Sequence, residues 1–170
     1  MASSKTQTDL LVIYGSCGVG KSHLLQASTV LAKELGKKSK YLTGEKFTND
    51  FISSIKSGRL ANFRNQYRNI DLLVIDDVHF IAGKDRTREE FLHTLDALQL
   101  SGQKVILATD AHPREILQLS DSLRSRMLGG LVLSIDLLDK KTLKNIATTI
   151  GASQGLKIDL ETLELLSEKS

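Results

Sequence analysis

The stretch Gly15-Ser16-Cys17-Gly18-Val19-Gly20-Lys21-Ser22 constrains this chain more than any other. It has the G-x-x-x-x-G-K-S spacing of a phosphate-binding loop. Residues 10–14 (LLVIY) precede it and read as a buried parallel strand. Residues 21–35 follow, with Leu24, Leu25, Ala27, Leu31 and Leu35 at helical spacing and Gly36 as a stop. Glycines permit the tight backbone that turns N–H groups inward at a helix N-terminus, which makes an anion trap. In such a loop Lys21 reaches the β- and γ-phosphates and Ser22 offers its hydroxyl to Mg²⁺. Gly15, Gly18, Val19, Gly20 and His23 complete the nucleotide-contacting stretch. A glycine-rich turn that merely fits the pattern is the bland alternative, and the flanking strand and helix argue against it.

At 170 residues, 41% of them apolar, the chain suits one soluble α/β domain with an appendage. No apolar run approaches the ~18 residues of a membrane helix, and the polar start has no signal-peptide pattern. A single cysteine, Cys17, makes no internal disulfide and fits a reducing cytosol. Its place inside the loop reads as a small space-filling residue rather than a catalytic thiol. The net charge of +3 permits a nucleic-acid partner without arguing for one. The four histidines, His23, His79, His93 and His112, show no zinc-ligand spacing with Cys17 and default to packing or surface positions.

Short apolar runs alternate with amphipathic stretches, the pattern of a parallel sheet with helices on both faces. Strands are expected at 10–14, 40–42, 72–76, 104–109 and 131–135, and helices at 21–35, 45–57, 59–68 and 87–100. Pro113 could start a helix. Beyond residue 135 the pattern turns helical. Asp139 is placed to cap a helix over 140–150 and Asp159 another over 160–169. The expected division is a nucleotide-binding core over 1–136 and the beginning of a helical lid over 137–170.

Residues 72–77 (LLVIDD) supply the acids that a phosphate loop requires, an apolar strand ending in two carboxylates. Ligands gather at the carboxyl ends of strands in open parallel sheets. Asp76 is expected to hold Mg²⁺, and Asp77 to orient or deprotonate an attacking water. Asp110 ends the next strand and can position water or sense a phosphate, if that strand pairs beside the loop strand. Arg124 and Arg126 lie on an expected surface turn, as solvated charge or as a finger reaching a neighbouring subunit's γ-phosphate.

These pieces, in this order, resemble the AAA+ ATPases and, within them, the bacterial replication initiators of the DnaA family. The resemblance rests on residues 14–25 (YGSCGVGKSHLL), 41–52 (YLTGEKFTNDFI), 62–77 (NFRNQYRNIDLLVIDD), 78–87 (VHFIAGKDRT), 89–92 (EEFL) and 122–131 (SLRSRMLGGL). It implies a three-layer sandwich around a five-stranded parallel sheet of order 5-1-4-3-2, with ATP or ADP and Mg²⁺ as ligands. By position it makes Gly18, Gly20, Lys21 and Ser22 the phosphate and metal contacts, Asp76 the metal acid and Asp77 the catalytic acid. Asp110 takes the first sensor position and Arg126 the arginine finger. The helices at 45–57 and 59–68 match the initiator-specific insertion, and Ile52, Lys84, Arg86 and Thr87 match contacts to single-stranded DNA.

The implied function is a slowly hydrolysing ATP switch of cytoplasmic, nucleoid-associated proteins that self-assemble into filaments and engage single-stranded DNA at an origin. Replicative helicase or initiator regulators are further implied partners. Some family features are missing: a segment packing near the adenine, the lid's second sensor arginine, and the flanking helicase-interaction and helix-turn-helix domains. Ser122 stands where an arginine is usual and Met127 where an aromatic is usual. The sequence is therefore expected to be a truncated ATPase core. An AAA+ helicase loader or initiator regulator, a small-molecule P-loop kinase, and a nucleotide-binding assembly module without turnover are the competing readings. For 84–87 the residues alone also allow a solvated turn, with Thr87 as a helix cap and Glu90 completing a capping box.

Overall fold

The computed structural model describes residues 9–136, 139–153 and 155. Five strands form one sheet: β1 (Leu10–Tyr14), β2 (Ser39–Thr43), β3 (Leu72–Asp76), β4 (Lys104–Thr109) and β5 (Leu131–Ser134). Their order is β2-β3-β4-β1-β5, and every pairing is parallel. This is the expected topology. The helices are α1 (Lys21–Glu34), α2 (Gly44–Lys56), α3 (Leu60–Arg68), α4 (His79–Ala82), α5 (Asp85–Leu100), α6 (Asp121–Leu128) and α7 (Lys140–Ser153).

Alternation along the strands sorts side chains to two faces. Val12, Leu73, Ile75, Val105 and Leu107 face the larger core, with Phe47 and Phe51 of α2, Phe63 and Tyr67 of α3, Phe91 and Leu95 of α5, and Leu123 and Met127 of α6. Phe47 is its hub, meeting Phe63, Tyr67 and Phe91 edge-on at 5.3, 5.1 and 5.3 Å. Such ring pairs add roughly 0.5–1.5 kcal/mol each beyond burial. Ile13, Val74 and Ala108 face the other way, against Leu25 of α1. The apolar spacing read for α1 serves the core less than expected, because Leu24, Leu31 and Leu35 are exposed and Leu25 is buried with Thr29.

Several local expectations need correction. A short α4 follows β3, and α5 starts two residues earlier than its spacing suggests. Arg124 and Arg126 lie on helix α6 and not on a surface turn. Ser120 caps α6, its Oγ accepting from Leu123 N at 3.3 Å. Pro113 begins no helix. The described residues divide into two compact units, the first ending at Ile135 and the second beginning at Asp136. In the second, Asp139 caps α7 as expected, with Thr142 N donating to its Oδ1 at 2.7 Å. The helix expected over 160–169 lies outside the described residues.

Candidate nucleotide site and neighbouring groove

The loop between β1 and α1 owes its shape to glycine. Gly18 and Gly20 have φ of 87° and 96°, where a Cβ is strained. Gly15 is required for space, because a Cβ there would stand 2.2 Å from the Ile135 carbonyl oxygen. Val19 is buried, so its side chain anchors the loop and leaves its backbone to a ligand, while Ser22 and His23 are exposed. Gly20 gives α1 no side-chain cap, and the first turn holds no acidic residue. The helix's first N–H groups thus lack an internal anion, which is the donor arrangement a phosphate completes.

Lys21 is 6% exposed, and its Nζ donates to Gly15 O at 2.7 Å, Ser16 O at 2.9 Å and Asp110 Oδ1 at 2.9 Å. Two carbonyls and one carboxylate take the ammonium's three protons. Of these partners the carboxylate is the one that a phosphate oxygen can replace with like charge. Asp110 follows β4, which pairs with β1 in register from Leu10↔Val105 to Tyr14↔Thr109. Pairing therefore carries Asp110 to the loop, which meets the condition that the sequence reading set.

Asp76 ends β3 and is 2% exposed. Its Oδ2 accepts from Tyr41 Oη at 3.0 Å and its Oδ1 from Asp77 N at 3.0 Å, which fixes both oxygens. Asp77 has φ 52°, an uncommon conformation that Asp tolerates better than most residues. Gly44 supports that turn from beneath, since a Cβ there would lie 2.5 Å from Asp77 O. Burial pushes the Asp77 carboxyl above the usual carboxylate range, and the charges of Asp76 and Asp110 reinforce this against His79 and Lys21. Two acids one residue apart thus differ: Asp76 is clamped by hydrogen bonds, and Asp77 holds its proton more tightly than an ordinary aspartate.

The chemistry of this set fits a magnesium nucleotide. It offers one buried cation, an exposed hydroxyl, hard carboxylate oxygens and free helix N–H groups. Ser22 and Asp76 could hold the ion, and Asp77 and Asp110 could face a water beside the terminal phosphate.

A second feature lies at the start of α5. Ile52, Lys84, Arg86 and Thr87 line one open groove with Phe51, Ile55, Lys56 and Asp85, of about 470 Å³. Lys84 and Arg86 are exposed, while Thr87 is buried in the first turn of α5. Thr87 is therefore no helix cap; Lys84 takes that place, without a side-chain bond. Glu90 completes no capping box either. It is 4% exposed and accepts from Arg64 Nη2 at 2.7 Å and from Arg68 Nη2 at 2.7 Å. This clamp ties α3 to α5 one turn below the groove.

Arg126 extends from α6 to α5, where it pairs with Asp96 and donates to Gln99 Oε1 at 2.9 Å. Arg124 turns instead to the preceding loop, donating to Leu119 O at 3.0 Å and Ile116 O at 3.3 Å.

A family model of the bacterial DnaA ATPase domain matches residues 2–134. The chain belongs to the bacterial DnaA ATPase-domain family. It is 39% identical over 161 residues to the chromosomal replication initiator protein DnaA of Corynebacterium aurimucosum, covering 94% of this chain and 30% of that protein. The chain thus spans less than a third of that relative's length. A solved replication initiator DnaA bound to AMPPCP and single-stranded DNA matches with TM-score 0.86 and 38% identity, over 95% of this chain and 50% of that one. AMPPCP-bound DnaA from Aquifex aeolicus matches with TM-score 0.88 and 38% identity, over 97% of this chain and 51% of that one.

Sequence reasoning missed several residues around this DnaA-type site. Tyr41 on Asp76, Gly44 under Asp77, the Arg64–Glu90–Arg68 clamp and the Asp96 partner of Arg126 all join residues far apart in the chain. The Glu90 clamp had one available signal, an acid four residues beyond Arg86 on the apolar side of a helix.

Proposed function

We propose that this chain is the ATP-binding, slowly ATP-hydrolysing core of a DNA replication initiator, which oligomerises when ATP-bound and engages single-stranded DNA during origin opening. The observation that supports this best is the meeting of Lys21 with Asp110, and of Asp110 with Asp77, at the carboxyl ends of neighbouring strands beside an uncapped α1. Gly15, Gly18, Val19, Gly20, Lys21, Ser22 and His23 bind the nucleotide. Lys21 exchanges Asp110 for a phosphate oxygen. Ser22 and Asp76 hold Mg²⁺, which when bound neutralises charge on the phosphates. Asp77 orients and deprotonates the attacking water, and Asp110 positions it.

Arg126 acts in trans, at a neighbouring subunit's site. Ile52, Lys84, Arg86 and Thr87 form the single-strand contact, with Lys84 and Arg86 on phosphates and Ile52 against sugar or base. Helix α7 belongs to a helical lid. The assembly works in the bacterial cytoplasm at the nucleoid, where replicative helicase and initiator regulators are its further partners. No helix of the described residues is long and apolar enough to cross a membrane.

Calorimetry with ATP, with and without Mg²⁺, tests the nucleotide site. Lys21→Ala should abolish binding, because it leaves the β/γ-phosphate charge without its buried cation. Undiminished ATP affinity in that variant would contradict the assignment.

A further inference from the structure

Beside the loop, three unlike ligand groups converge. One oxygen each from Asp77 and Asp110 and one ring nitrogen of His79 all lie within 4.8 Å of one another. Asp77 and His79 flank Val78, whose N–H donates to Ala108 O at 3.1 Å. That bond pins the turn after β3 to the strand that carries Asp110. Gly44 closes the turn from below, and the His79 ring lies against Phe80 with centroids 4.5 Å apart. The backbone of the turn and the His79 ring are therefore held in place by contacts outside the cluster.

Charge and donor type narrow the ligand. Asp77 feels the charges of both Asp76 and Asp110, and Lys21 pairs with Asp110, which leaves an excess of negative charge at the cluster. Mg²⁺ and Ca²⁺ take oxygen ligands, whereas imidazole suits Zn²⁺, Co²⁺ and Ni²⁺. Ligand atoms about 2.0–2.2 Å from a tetrahedral ion lie about 3.3–3.6 Å apart. Rotation of the two carboxylates toward the imidazole closes the set onto one ion.

We propose that Asp77, His79 and Asp110 bind a transition-metal dication of the Zn²⁺ or Co²⁺ class, at a position distinct from a Mg²⁺ on Ser22 and Asp76. The ion draws Asp110 from Lys21 and removes the free carboxylate of Asp77. Occupancy therefore inhibits hydrolysis. That consequence rests on the nucleotide reading above, while the binding itself does not.

The test uses the nucleotide-free full chain. Co²⁺ should bind with one equivalent and give absorption of nitrogen and oxygen ligation, with no thiolate charge-transfer band. In proton spectra His79 should be the one histidine of four whose ring resonances are strongly shifted. By calorimetry, Zn²⁺ affinity should fall at least about tenfold in His79→Ala and stay unchanged in His112→Ala. Millimolar Mg²⁺ should not displace the ion. The proposal is overturned by absent saturable binding, a thiolate band from Cys17, shifts on another histidine, or displacement by Mg²⁺. A folded His79→Ala with wild-type affinity overturns it too. The wild-type spectra decide the matter if the variant does not fold. Abolished ATP binding in Lys21→Ala leaves this test untouched, so the two readings fail separately.

Discussion

Lys21 Nζ stands 2.9 Å from Asp110 Oδ1, joining the phosphate loop to the end of the neighbouring strand across 89 residues of sequence. The lysine is 6% exposed and the aspartate 52%, so the buried partner is the one that stays in place and the exposed one can withdraw. A nucleotide must take the ammonium from this carboxylate. Asp110→Asn removes both the competitor and a negative charge beside the terminal phosphate. It should tighten ATP binding about fivefold, roughly 1 kcal/mol, and slow hydrolysis. Calorimetry checks the first part; weaker ATP binding would show that Asp110 helps to hold nucleotide instead.

The two acids after β3 should separate in function. Asp77→Asn should keep Mg-ATP binding and lower hydrolysis by about a hundredfold, the usual worth of a positioned base. Asp76→Asn should weaken the Mg²⁺ requirement itself. Because Asp77 titrates above the usual carboxylate range, the wild-type rate should already fall at pH values where an ordinary aspartate is still ionised. Asp77→Asn should lose that acid limb. Identical metal titrations for the two variants would contradict this division.

Glu90 carries a stability prediction. Burial raises its carboxyl, but the hydrogen bonds and charges of Arg64 and Arg68 outweigh this and hold it below the usual range. A carboxyl depressed on folding adds stability above its unfolded pKa and loses it as the pH falls through the lower folded value. Glu90→Gln should cost about 2 kcal/mol in urea unfolding at pH 7 and lose less stability than wild type below about pH 4.5. A change under about 0.5 kcal/mol would mean that the clamp is incidental.

Arg126→Ala should leave ATP binding by the dilute chain intact and weaken ATP-dependent assembly. Asp96→Ala should do the reverse, since it frees the arginine from its partner on α5. Sedimentation with ATP and with ADP reads both. Loss of nucleotide binding in dilute Arg126→Ala would place the arginine in its own subunit's site.

Four of the five strands were legible as apolar runs with glycine or an acid at or just beyond the end, while β2 is a short and largely polar run before Gly44. The loop glycines and the acids at 76 and 77 were legible in the local pattern, whereas the strand order that brings in Asp110 came from the family resemblance. Features set by packing were not legible. Thr87 and Glu90 have capping-box spacing, yet the Phe91 and Leu95 face draws both inward and starts α5 at Asp85. Arg126 looked like part of a loop because two serines and two arginines hide the helix. Ser120, ahead of Asp121, was the capping signal that could have revealed it. The mistaken apolar face of α1 has a similar origin, since leucine spacing does not say which stripe meets the sheet.

The most direct test of the central claim is the binding of a labelled single-stranded oligonucleotide across a range of salt concentrations. It should be followed with ATP and with ADP, for wild type and for Lys84→Ala/Arg86→Ala. Backbone contacts make the affinity nearly independent of base sequence and steep in salt. With ATP the wild type should bind, and with ADP only weakly. The double variant should keep ATP binding and flatten the salt slope by about 1.4 per bound subunit, about 0.7 for each phosphate that is no longer neutralised. An assembled, ATP-bound double variant with wild-type affinity and slope, or a wild type that binds equally well with ADP, would contradict the account.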